Sequence, residues 1–76
     1  MVEYKLNLNT FDGMPSSVQK FEDGVAIASI PLSAGNADFC RFLIWNKRNG
    51  NPITLPESLM ATIDMDLIEQ CYGRDV

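Results

Sequence analysis

From Val2 to Asn9 the chain alternates without a break, with Val2, Tyr4, Leu6 and Leu8 set against Glu3, Lys5, Asn7 and Asn9. That two-residue period is the mark of a strand with one face on a core and the other in water. Thr10 to Pro15 carries the turn pair Asp12-Gly13 and a proline, and ends the strand. Ser16 to Gly24 reads two ways. Ser16 and Gln19 have the spacing of a capping box, with Gly24 as a helix stop; alternatively Val18 to Phe21 is a strand and Asp23-Gly24 a tight turn into the next. The run that follows, Val25 to Ile30 (VAIASI), favours the hairpin, because it begins directly after Asp-Gly and is apolar on both faces. A strand of that kind is expected in the interior of a sheet or beneath a helix. Pro31 to Asp38 has the composition of a loop. Phe39 to Trp45 (FCRFLIW) is rich in aromatic and branched residues, has Arg41 as its single charge, and is short between flanking turn signals. It is expected as a second interior strand, followed by an Asn49-Gly50 turn leading to Ile53 and Leu55.

Thr54 to Gly73 changes period. Thr54 and Glu57 are spaced as a capping box, and Pro56 in a first turn gives up an N–H that has no intrahelical partner. Leu59, Met60, Ile63, Leu67 and Cys71 recur at three- and four-residue steps, and Gly73 is a helix stop. The pattern predicts one C-terminal helix whose buried stripe contributes on the order of 10 kcal/mol gross. Met65, Ile68 and Tyr72 fall beyond that stripe. The expected fold is a single α+β domain over residues 1–76: two layers, a three- or four-stranded, mainly antiparallel sheet packed against the C-terminal helix. Its variant makes 16–22 a second, short helix.

Charge sharpens the reading of that helix. Glu57, Asp64, Asp66 and Glu69 lie on it with no Lys or Arg between them, while the other six acids are matched by six bases, so the net −4 is the helix's own. An acidic arc beside off-stripe apolar residues is either a solvated face or a surface for another chain. The remaining composition, 46% hydrophobic and 21% charged, is that of a folded domain, with little margin at this size. The start MVEYKLNLN has no apolar signal core and no run is long enough to span a bilayer, so a soluble, cytoplasmic protein is expected.

Candidate chemistry is sparse. There is no histidine, which removes His-based acid–base catalysis and leaves a Cys/His zinc site short of ligands. Cys40 and Cys71 read as reduced, buried thiols acting as small apolar residues. Asp64 and Asp66 stand two apart on a helix and do not face one another. The five glycines are isolated, which excludes a phosphate-cradling loop. Neither an enzyme nor a cofactor or metal site is expected. The leading expectation is a small non-enzymatic interaction module that binds or inhibits a larger macromolecule with a basic surface, through Asp64, Met65, Ile68, Glu69 and Tyr72. One alternative is an obligate homodimer formed by helix packing or an exposed strand edge. The other is a weak nucleic-acid binder using Trp45, Lys47 and Arg48 at a hairpin tip, on a chain too acidic for a strong phosphate footprint.

Overall fold

The computed structural model describes residues 1–75 as a three-stranded antiparallel sheet covered on one face by helices, a small α+β fold. Strands β1 (Val2–Leu8), β2 (Pro15–Glu22) and β3 (Val25–Pro31) lie in the order β1-β2-β3. The first two match Leu6 with Val18 and Tyr4 with Lys20, and the second pair matches Val18 with Ile30 and Lys20 with Ala28. Tyr4, Val18 and Ile30 therefore share the covered face and are buried, whereas Glu3, Lys5, Asn7, Ser17, Gln19 and Phe21 share the wet one. The hairpin reading of residues 16–24 holds: Asp23 and Gly24 both take positive φ, 51° and 83°, the two-residue turn that matches strand twist.

Two expected elements change type. Phe39 to Trp45 is not a strand but the middle of helix α1 (Ala37–Arg48). The apolar run is long because α1 is covered on most sides: Phe39, Cys40, Phe42, Leu43 and Ile44 are each at most 2% exposed. A run buried all round loses the three-to-four-residue period that marks a helix. Its ends carry ordinary signals. Asn36 Oδ1 accepts from the Phe39 N–H at 3.0 Å, Asp38 sits in the first turn and Lys47 and Arg48 in the last, each suited to the helix dipole. Asn49-Gly50 accordingly ends α1 rather than turning a hairpin, with Gly50 and Asn51 at φ 83° and 57°. With no strand from residues 39–45 to flank it, β3 is an edge strand instead of an interior one. Val25 and Ile27 stay 63% and 49% exposed, and the β2–β3 register shifts at Lys20/Phe21.

The C-terminal helix is also not single. It breaks into α2 (Glu57–Met60) and α3 (Met65–Tyr72), with a 3₁₀ turn at Gly73–Asp75. The Thr54–Glu57 capping box does not form; Pro56 occupies the N-cap position of α2 with no side-chain bond. Asp64 caps α3, its backbone extended at φ −99°, ψ 97°, and its Oδ1 accepts from the Leu67 N–H at 3.2 Å. Restarting the helix at Met65 resets its phase. Leu67 is 55% exposed and Cys71 is exposed rather than buried, while Ile68 enters the core with Met65 and Tyr72 packed beside it. Leu59, Met60 and Ile63 of the expected stripe do pack against the core, but within α3 the inward set is Met65, Ile68 and Tyr72, which sequence spacing put outside it.

Asn46 ties α1 to the segment that follows it. It is 6% exposed, the buried polar side chain of the core among the described residues. Its Nδ2 donates to the Ile53 carbonyl at 2.9 Å and its Oδ1 accepts from the Ile53 N–H at 3.0 Å, while its own carbonyl accepts from the Asn51 N–H at 2.8 Å. The irregular segment 51–55 is thereby held against α1, placing Leu55 in the core.

Candidate interaction surfaces

The connection from β1 to β2 presents apolar side chains on a hydrogen-bonded tip. Asn9 N–H donates to the Met14 carbonyl at 2.7 Å and Gly13 N–H to the Asn9 carbonyl at 2.8 Å. Asn9 Oδ1 accepts from Phe11 N–H and Asp12 Oδ1 from Met14 N–H, both at 2.9 Å. Gly13 takes φ 71°, the left-handed conformation that glycine adopts freely. On this frame Phe11 is 96% exposed, flanked by Leu8 at 56% and Met14 at 52%. Sequence reasoning passed over Phe11 and Met14 as turn and set Leu8 on the apolar face of β1, but at the strand's end Leu8 has no core beneath it and stays exposed. The available signal was an aromatic between Asn9-Thr10 and Asp12-Gly13, where a turn gives a large apolar side chain no core to enter.

The residues expected to make the contact face are not collected on one outward surface. Ile68 is buried and Met65 and Tyr72 pack partly against the core. Asp64 is committed to its cap. Glu69 pairs with Lys47 at 3.5 Å, and Arg41 lies over the Tyr72 ring at 5.7 Å, so this set forms much of the contact between α1 and α3. Ile68, 7% exposed, presents little side chain to a partner in this conformation. Glu57 and Asp66 remain exposed and constitute the solvent-facing acidic arc with Asp64.

Trp45, Lys47 and Arg48 are likewise not at a hairpin tip but in the last turns of α1. Trp45 is half-buried against Tyr4, ring centres 4.9 Å apart, and Arg48 donates to the Gly73 carbonyl at 3.0 Å. The positive groups are thus occupied in tying α1 to the C-terminal segment. Beside Trp45, an open cleft of about 350 Å³ runs along the start of β1, walled by Val2, Tyr4, Trp45 and Pro52 with Glu3 and Lys5 at its rim. Burial pushes the Tyr4 hydroxyl above its ordinary pKa, reinforced by Asp38 and opposed by Arg41. Burial likewise raises the Cys40 thiol, whose Sγ donates to the Ala34 carbonyl at 3.3 Å. A thiol held in that state is a poor nucleophile.

Among the described residues no group of three His, Cys, Asp or Glu side chains could hold a metal ion, and no helix is long and apolar enough to cross a membrane. Comparison with protein-family models, with curated proteins and with solved structures gives no match.

Proposed function

We propose that this chain is a small non-enzymatic protein-interaction module whose anchor is the β1–β2 tip. The observation that carries the reading is Phe11, 96% exposed on a turn closed by four hydrogen bonds. A turn whose backbone is already closed by hydrogen bonds has less main-chain entropy to lose on docking, and aromatic anchors supply a large part of binding energy where interfaces have been scanned. Leu8 and Met14 enlarge the patch. The partner presents an apolar pocket within a basic surround. The net charge of −4 and the exposed Glu57 and Asp66 steer the encounter, setting on-rate and partner choice more than final affinity.

The test is a pull-down with the full chain and with Phe11→Asp, read by the identity and amount of the captured protein, and followed by kinetics on that protein. Phe11→Asp abolishes capture without changing the far-ultraviolet spectrum, and Glu57→Lys with Asp66→Lys slows association while leaving dissociation nearly unchanged. Equal capture by the Phe11→Asp variant overturns the reading. Glu57 and Asp66 are the positions to reverse because Asp64 and Glu69 have structural bonds, whose loss would mimic a binding defect.

A further inference from the structure

We infer that β1 is a self-association edge: two copies of the chain pair their β1 strands antiparallel about a twofold axis at Tyr4, making a continuous six-stranded sheet. Strand order leaves β1 and β3 as edges. The β3 edge is blunted by Pro31 and by the register shift at its start, two devices that discourage pairing. β1 contains no proline, and its outer side opens on the cleft walled by Val2, Tyr4, Trp45 and Pro52.

The available register follows from which backbone groups are free. Met1 C=O accepts from Asp23 N–H at 3.1 Å and Asn9 N–H donates to Met14 C=O at 2.7 Å, so the odd-numbered residues of this strand turn their N–H and C=O toward β2. By alternation, Val2, Tyr4 and Leu6 turn theirs toward the open edge. A twofold pairing must therefore set even residues opposite even ones. Centred on Tyr4, it places Tyr4 opposite Tyr4 of the second copy and Val2 opposite its Leu6, with six backbone hydrogen bonds on the order of 1 kcal/mol each at best. On the sheet's covered side, the half-buried Val2 and Leu6 then cover one another.

Charge selects this register over its neighbours. With the axis at Tyr4, Glu3 of each copy stands opposite Lys5 of the other, twice per dimer, on the wet face where both are exposed. Moving the axis to residue 3 opposes Glu3 to Glu3, and moving it to residue 5 opposes Lys5 to Lys5, each a like-charge pair that destabilises. In the single chain Lys5 Nζ lies 5.3 Å from the centre of the Phe21 ring on β2, so meeting Glu3 of the second copy swings its amine from that ring across the wet face to the open edge. The edge that a lone lysine would guard against foreign strands is complementary to itself.

The test is sedimentation of the whole chain across a concentration series reaching about 100 μM, suited to an interface of weak, transient size, with Glu3→Lys, Lys5→Glu and their equimolar mixture. The native chain forms a dimer. Each variant alone opposes like charges at both pairs and weakens self-association by about tenfold or more. Mixing them restores the dimer, since the two lysines on the β1 strand of one variant meet the two glutamates on that of the other. A native chain that stays monomeric throughout, variants that dimerise as the native chain does, or a mixture that does not recover each overturn the inference. The mixture also controls for misfolding, because two unfolded variants would not complement. Phe11 lies beyond the paired length, so Phe11→Asp leaves this dimer intact and the two proposals fail separately.

Discussion

Replacing Asn46 with alanine tests the joint between α1 and the 51–55 segment. The side chain makes two bonds with one peptide partner, Nδ2 to the Ile53 carbonyl at 2.9 Å and the Ile53 N–H to Oδ1 at 3.0 Å. Each is worth about 1 kcal/mol net, and the Ile53 groups left behind are only partly open to water, so the loss is about 2–3 kcal/mol. A chain of this size has on the order of 4–11 kcal/mol in total, which makes the change a large fraction of its stability. It corresponds to a fall in melting temperature of about 10–20 °C. The assay is urea unfolding followed by circular dichroism at constant m-value. Asn49→Ala is the comparison, since it removes a side-chain bond of 2.7 Å to the Trp45 carbonyl at an exposed position and costs less than about 1 kcal/mol. Asn46→Asp adds a second check: the carboxylate keeps the acceptor but repels the Ile53 carbonyl. Its carboxyl pKa is then higher folded than unfolded, and the deficit shrinks as pH falls and the acid regains a donor. A loss at Asn46→Ala below about 0.5 kcal/mol, or one no larger than at Asn49→Ala, refutes the reasoning.

Two further outcomes follow from the fold. Asp64→Ala removes the α3 cap and costs about 1 kcal/mol, whereas Thr54→Ala, which removes no cap, stays within about 0.5 kcal/mol by the same urea titration. The chain also loses stability toward alkaline pH. Cys40 and Tyr4 both have pKa values raised in the folded state above their ordinary 9.0 and 10.0. Folding thus holds protons that the unfolded chain releases, and the contribution of these two groups to stability is level below about pH 9 and falls above it. Tyr4→Phe flattens the part of that fall above pH 10, as read by melting temperature against pH; an unchanged profile would count against burial as the cause.

How much of this fold was legible depended on whether a face was left in water. β1 was read correctly except at Leu8, which stays exposed at its end, because Glu3, Lys5 and Asn7 lie on the wet face while Tyr4 goes in, and the Asp23-Gly24 turn because two positive φ angles demand those residues. α1 was misread because burial on most sides erased its period, although Asn36, Asp38, Lys47 and Arg48 mark both its ends. Reading those ends before the apolar run would have reversed the assignment. The C-terminal stretch failed for the opposite reason. Its stripe over Leu59, Met60, Ile63, Leu67 and Cys71 was periodic enough to hide the break, and the Asp64 cap with Asp66 behind it went unread as a fresh helix start.

The same reset explains why the candidate surface moved. While residues 54–73 were one helix, Met65, Ile68 and Tyr72 were apolar residues without a core, and the acids beside them looked like the rim of a contact. Starting α3 at Met65 turns Ile68 inward and joins Glu69 to Lys47, so packing between α1 and α3 accounts for where that set lies. Packing offers no such account of Leu8, Phe11 and Met14, which remain open on a hydrogen-bonded tip, or of the even-numbered backbone groups of β1. A chain of 76 residues has little apolar surface to leave outside its core. The side chains and edge that the fold leaves exposed are therefore where contacts with other molecules have the most to gain.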